Sequence, residues 1–128
     1  MTYTFSKTTS MDFNSAVEKV KEELKKEGFG VLTQIDVKDT LKKKIDVDFK
    51  KYLILGACNP QLAYQALQKE EKIGVMLPCN VVIFETDEGD VEINAVDPIA
   101  SMQAIQNPNL EPIAKQVQEK LKLVVSRI

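Results

Sequence analysis

Two segments in which apolar and polar residues alternate constrain the fold of this chain more than any other feature. They cover residues 81–85 and 91–96, and the five residues 86–90 form a polar connection between them. Such alternation is typical of a strand with one buried face, and a short polar connection that contains glycine joins neighbouring antiparallel strands. The pattern therefore predicts a β-hairpin, so the fold has to contain at least one antiparallel strand pair.

The rest of the chain alternates between predicted strands and predicted helices. Short apolar runs indicate strands at residues 3–6, 30–35 and 49–58. Apolar residues three and four positions apart, with capping residues, indicate helices at residues 12–27, 36–44, 60–70 and 110–124, and a brief helical turn after Pro98. The order β-α-β-α-β-α-β-β-α predicts an α+β fold with a single-layer, mixed and mostly antiparallel sheet and helices packed on one face. No linker or repeat interrupts this order, so residues 1–128 are expected to form a single domain.

Charge and hydropathy limit what the chain can bind. It has 17 basic and 19 acidic residues and a net charge of −2, whereas binding to nucleic acid relies on a strong positive field. We therefore expect no nucleic acid as a partner. The start of the chain has no basic segment followed by an apolar run, and no apolar stretch approaches the length that spans a bilayer. The sequence thus predicts no membrane association and a cytoplasmic location, where thiols stay reduced.

The absence of histidine is the most informative negative feature. It removes the serine and cysteine nucleophile schemes that depend on histidine, the commonest general base and the commonest zinc ligand. The chain also contains no recognisable catalytic motif and no glycine-rich phosphate loop. Whether it is an enzyme therefore stays open, and no cofactor is expected.

Two cysteines, each followed by asparagine, are the main concentration of chemically distinctive residues. In the first motif, Asn59 is a favoured N-cap residue and Pro60 a favoured first helical residue, which places Cys58 between the end of a strand and a helix N-terminus. The positive end of that helix would stabilise a thiolate. The helix at 60–70 can return the chain to the same end of the sheet, so Cys58 and Cys79 can share one rim.

Two interpretations of these cysteines stay open at this point. Free cysteine is among the most buried residue types and often only packs in a core. The repetition of the Cys-Asn pair favours a site, but its chemistry is not specific, because no C-x-x-C motif is present. Two thiols alone also make a poor zinc site unless carboxylates or a second subunit contribute ligands.

Several short motifs together resemble a known family. The segment 28–36 (GFGVLTQID) precedes residues 55–60 (LGACNP), and residues 77–81 (LPCNV) and 95–98 (AVDP) follow. In this order, over residues 5–125, they resemble the uncharacterised bacterial and archaeal proteins grouped as domain of unknown function 302. The resemblance implies a compact α+β fold, a homodimer and no established activity. The positions that correspond to the family signature are Cys58, Asn59, Pro60, Pro78, Cys79, Asn80, Asp97 and Pro98.

Three functions are compatible with these features. The first is a binding module for a small molecule or an anion, with the site around the two motifs, and its predicted residues are Cys58, Asn59, Pro60, Cys79, Asn80 and Asp97. The second is a thiol protein that senses redox state or binds a soft metal such as zinc or copper, in which case Cys58 and Cys79 are the ligands. The third is a structural protein that acts by forming a dimer.

Overall fold

Five strands form one sheet in the computed structural model, which describes residues 2–128. The strands follow one another across the sheet in the order β1-β5-β4-β3-β2, and all four pairings are antiparallel. Their bounds are β1 Thr4–Thr9, β2 Gly30–Asp36, β3 Tyr52–Cys58, β4 Cys79–Glu85 and β5 Val91–Val96. The predicted hairpin is thus confirmed as β4 and β5, and its turn is closed by the bond from Thr86 N to Asp90 O.

In the part of the chain that the structure describes, five α-helices and two 3-10 segments connect and flank the strands. The helices are α1 Phe13–Lys26, α2 Val37–Ile45, α3 Pro60–Lys69, α4 Pro98–Ser101 and α5 Glu111–Ser126, and the 3-10 segments are Glu71–Met76 and Pro108–Leu110. Four helices begin at a side-chain cap, and the capping residues are Asp12, Asp36, Asn59 and Asp97. The predicted α+β fold and its order of elements are confirmed.

The connections explain why the described sheet has no parallel pairing, although helices lie between consecutive strands. α1 carries the chain across the sheet from the edge strand β1 to the other edge strand β2. α2, by contrast, leaves and re-enters the sheet at one end, and α3 with the following 3-10 segment does the same at the other end. A helix-containing excursion that returns to the end it left joins antiparallel neighbours, as a long hairpin loop would.

Two hydrophobic clusters fill the space between the sheet and its helices. The main cluster joins α1 and α5 to the inner residues of the central strands, including Val20, Leu55, Ile83 and Leu121. The second cluster lies beside it under α3, and its buried members are Leu62, Ala66, Ile73, Leu110 and Ile113. Every second residue of β5 is buried, which is the burial pattern of a strand covered on one face.

Among residues 2–128, Glu23 on α1 is the one charged residue that is buried, and its side chain is 1% exposed. Its Oε2 accepts a hydrogen bond from Lys26 Nζ at 2.8 Å and lies 3.3 Å from Lys19 Nζ. These contacts, with that of Lys26 the strongest, hold the pKa of the Glu23 carboxyl below its ordinary value. Its Oε1 has no partner within residues 2–128.

Helices α1 and α5 pack on one face of the sheet, and neither of them covers the opposite face. Tyr52 and Phe84 stack there with ring centroids 5.3 Å apart. Beside them, Ile35, Ile54 and Val82 follow one another across three strands. Ile35 is 48% exposed, so the apolar part of this open face is in contact with solvent. In the part of the chain described, no helix has the length and apolar character needed to cross a membrane.

Candidate functional site

The two cysteines lie at one rim of the sheet. The register of β3 and β4 pairs Ala57 with Cys79, so Cys58, which ends β3, and Cys79, which begins β4, are at the same end. Both thiols are free and half-buried. The excursion through α3 produces this arrangement, because it begins and ends at that rim.

Gly56 shows how closely this rim is packed. A Cβ at Gly56 would lie 2.1 Å from Thr33 Oγ1 and 2.7 Å from Pro78 Cγ. Only glycine leaves room for both side chains at this point. The peptide bond between Leu77 and Pro78 is cis, and the chain passes from it directly into Cys79 and β4.

Asn59 joins two helices through its side-chain amide. Its Oδ1 accepts a hydrogen bond from Leu62 N at 3.3 Å, which is the predicted N-cap of α3. Its Nδ2 donates to the carbonyl oxygen of Glu27 at 3.3 Å, at the C-terminus of α1. Both ends of the amide are therefore engaged within the fold, and Pro60 occupies the first turn of α3, exposed to solvent.

A small, partly open apolar cavity lies beneath the cysteine rim, between the end of the sheet and helices α3, α4 and α5. Its volume is about 40 Å³, and sixteen residues line it. None of them is charged, and apart from the thiols of Cys58 and Cys79 the only polar side chain is that of Asn59. The remaining wall includes Leu62, Ala63, Pro78, Met102 and Ala114. The arrangement can hold a small uncharged group and offers it few hydrogen bonds.

Burial beside this cavity raises the pKa of the Cys79 thiol to about 11, and the neighbouring Cys58 adds to the effect. At neutral pH, Cys79 is consequently protonated. It presents an S–H group to the cavity rather than a charged thiolate, so its contribution there is that of a small apolar side chain.

Asn80 lies on the other side of the sheet from the cavity. It pairs with Gly56 and faces the open side, where its side chain is exposed. There it borders a groove of about 570 Å³ that Tyr52, Phe84 and Glu92 also line. The two Cys-Asn motifs therefore do not present all their side chains to one site, because successive residues of a strand point to opposite faces.

Asp97 caps α4 near the cavity and does not line it. Its carboxylate caps α4 by accepting a hydrogen bond from Ile99 N at 3.0 Å, and it accepts another from Gln118 Nε2 at 3.1 Å. The following residue, Pro98, is buried and lines the cavity. The structure thus brings Cys58, Asn59 and Cys79 together at the cavity and leaves Pro60, Asn80 and Asp97 outside its lining.

Sequence reasoning missed the wall that the C-terminal end of α4, the 3-10 segment Pro108–Leu110 and α5 contribute. Met102, Leu110 and Ala114 line the cavity from this side. The apolar spacing of residues 110–117 predicts a buried helix face, but spacing cannot distinguish a filled core from one that leaves a cavity. Within residues 2–128, no group of three or more histidine, cysteine or acidic residues is placed to hold a metal ion.

Comparisons with known proteins agree with the motifs of the sequence. The model of the family described as "Domain of unknown function DUF302" matches residues 5–128. The chain is also similar to the crystal structure of an uncharacterized conserved DUF302 protein from Bacillus stearothermophilus, with 31% sequence identity and a TM-score of 0.92. That similarity covers 99% of this chain and 98% of the other. Comparison with curated proteins finds no match.

Proposed function

The chain belongs to the DUF302 family, whose description assigns no function, and from the geometry of its own cavity we propose that it is a binding module for a small, uncharged, apolar ligand. The observation that carries this proposal is the small apolar cavity at the cysteine rim, whose lining contains no charged side chain. Ligand sites are typically concave and mostly apolar, with a few polar groups that orient the ligand. Here the polar residues of the lining are Cys58, Cys79 and Asn59, and the Asn59 amide is already hydrogen-bonded at both ends within the fold.

The size of the cavity limits the ligand. A cavity needs roughly 10–15 Å³ to hold one water molecule. A volume of about 40 Å³ therefore admits a group of only a few heavy atoms. Met102 forms part of the wall, and the flexible thioether side chain of methionine adapts readily to different neighbours. A small ligand, or the small apolar end of a larger one, fits this space.

The geometry favours an uncharged ligand over the anion that the sequence also allowed. An anion at the start of α3 would need free backbone N–H groups, but Asn59 already accepts the bond from Leu62 N. No lysine or arginine lines the cavity. A charged group would therefore lose its hydration without gaining a counter-charge.

Xenon binding, followed by NMR, tests the proposal. Xenon enters dry apolar cavities, so we expect shifts of the signals of residues around the cavity. Ala63→Met and Ala114→Met each place a longer side chain in the lining and should abolish these shifts. Ala104→Met is the matched control, because Ala104 is exposed and does not line the cavity.

Two blocking variants on different helices protect the test against a folding defect in one of them. Thermal denaturation establishes that each variant is folded before xenon is added. If xenon shifts no signal near Cys58 and Cys79 in the wild type, or if the shifts persist in both blocked variants, the proposed function is wrong.

A thiol function has less support from the geometry. Cys79, with its raised pKa, is protonated at neutral pH, and both metal binding and thiol–disulfide exchange require the thiolate. Titration with a thiol reagent and metal analysis of the purified protein test this alternative. A fast-reacting Cys79, or stoichiometric zinc or copper that is lost in Cys58→Ser, would support it. The cytoplasmic location, which would keep these thiols reduced, stays a prediction.

We also propose that the chain forms a homodimer through the open face of the sheet. Ile35, Ile54 and Val82 form a continuous apolar strip there, and a two-fold axis would bury this strip on both copies at once. Light scattering coupled to size-exclusion chromatography should give twice the mass of one chain. Ile35→Lys should shift the protein towards monomer, whereas Lys43→Ala, on the exposed surface of α2, should not. A monomeric wild type would contradict this proposal.

A further inference from the structure

The inner cavity adjoins a second, larger concavity on the outside of the protein. This outer groove has a volume of about 580 Å³ and lies between the segment that follows α4 and the first turns of α5. Met102, Leu110 and Ala114 line both the cavity and the groove. These three residues thus lie between the two spaces, with the apolar cavity on one side and the solvent-filled groove on the other.

The two spaces differ in the chemistry of their linings. The inner cavity has no charged residue, whereas the groove is bordered by apolar side chains together with the amides of Gln103 and Gln106. Both glutamines are exposed. A ligand that extends from the cavity past Met102 would therefore pass from a space with few hydrogen-bonding partners into one that offers amide donors and acceptors.

The charges beside the groove indicate what kind of head group it accepts. Glu111 and Lys115 both line the groove, one helical turn apart on α5. A head group with a net charge would be attracted by one of them and repelled by the other. An uncharged, hydrogen-bonding head gains from the neighbouring glutamines without this opposition.

We propose that the ligand is a short-chain amphiphile with an uncharged, hydrogen-bonding head, such as a primary amide. Its apolar tail of a few carbons fills the inner cavity, and its head lies in the outer groove beside Gln103 and Gln106. This inference rests on the proposed function, because it assigns the ligand class of the same cavity. Met102, which lines both spaces, would then contact the ligand where its tail and head meet.

Three probes with tails of similar length and different heads test the inference: pentanamide, pentanoate and pentylammonium. Their affinities are measured by NMR titration at neutral pH, together with the xenon experiment. We expect pentanamide to bind most tightly, by roughly tenfold over either charged probe, since a few hydrogen bonds are at stake. Ala114→Met should abolish the binding of all probes.

A double variant, Gln103→Ala with Gln106→Ala, tests the groove separately. It should weaken pentanamide binding by roughly two- to tenfold and leave the xenon shifts unchanged. Asn109→Ala is the matched control, since Asn109 is an exposed amide residue of the same segment that does not line the groove. All these positions are exposed, so the variants are expected to fold.

The outcomes separate this inference from the proposal on which it depends. If xenon does not enter the cavity, both are wrong. If xenon enters but pentanoate or pentylammonium binds as tightly as pentanamide, only the ligand class is wrong. An unchanged affinity for pentanamide in the double glutamine variant would likewise overturn the assignment of the head group to the groove.

Discussion

Replacing Gly56 with alanine tests how closely the cysteine rim is packed. The added Cβ would lie 2.1 Å from Thr33 Oγ1 and 2.7 Å from Pro78 Cγ, closer than non-bonded atoms approach. The Thr33 hydroxyl can rotate away, but the proline ring moves only with its backbone. Overpacking costs about 1–3 kcal/mol, which exceeds the gain of roughly 0.4–1 kcal/mol from a less flexible unfolded chain. We therefore expect a net loss of about 1–2 kcal/mol in the free energy of unfolding.

Urea denaturation followed by circular dichroism measures this loss directly. In a thermal scan, the same loss corresponds to a fall in Tm of about 3–8 °C for a domain of this size. Gly30→Ala is the matched control, because it lies in the adjacent strand β2 and a Cβ there meets no atom within 4 Å. The control variant should be as stable as the wild type or slightly more stable.

The double variant Gly56→Ala with Thr33→Ala separates the two close contacts. Loss of the Thr33 hydroxyl relieves the shorter one and leaves the contact with Pro78, so only part of the stability should return. A free energy of unfolding for Gly56→Ala equal to that of the wild type would refute the reasoning. Complete recovery in the double variant would show that the proline ring contributes nothing to the cost.

Four further variants probe other features of the fold, one of them with a matched control. Asn59→Ala, which removes the cap of α3 and its bond to α1, should lower the free energy of unfolding by about 1–2 kcal/mol in urea titrations, whereas Asn109→Ala should not. In Cys58→Ser, the remaining thiol of Cys79 should react with a thiol reagent at neutral pH roughly tenfold more slowly than an unperturbed thiol, because its smaller thiolate fraction is partly offset by the greater nucleophilicity of a thiolate of higher pKa. Equal rates would contradict its burial. Because the folded state raises this pKa from 9.0 to about 11, wild-type stability should fall as pH rises across that range, and Cys79→Ala should lack this decline. The carboxyl pKa of Glu23 is lowered from 4.5, so its stabilising contribution is present above that pH and is lost as pH falls through the folded-state value. Glu23→Gln should show a shallower acid transition, and an unchanged one would count against the ion pair.

Much of the fold could be predicted from local patterns. Alternation in residues 81–96 identified the hairpin, and cap residues such as Asn59 with Pro60 located the start of α3. The strand pairings could not be derived in the same way, because periodicity records which face of an element is buried and carries no information about its neighbours. The antiparallel pairing of β3 with β4 depends on the path of residues 59–78, whose 3-10 segment has no strong sequence signal.

The candidate site was predicted in part. Cys58, Asn59 and Cys79 meet at the cavity, as the return of the chain through α3 led us to expect. Asn80 faces the other side because it follows Cys79 directly within β4, and successive residues of a strand point to opposite faces. The wall formed by Met102 and Ala114 depends on how α4 and α5 pack, which the sequence does not encode locally.

The cavity occupies the boundary between the two hydrophobic clusters, and this position has a consequence for the way the protein opens. Its lining includes Ala57 from the main cluster and Leu62 and Ile113 from the second. Because the cavity leaves fewer contacts between the two clusters at this point, we expect them to part from each other more easily than either comes apart. Regions that separate in this way exchange their amide hydrogens at a lower free energy than global unfolding requires. Amides of α3 should consequently exchange faster than those of β4, and a molecule held in the cavity would join both regions into one cooperative unit.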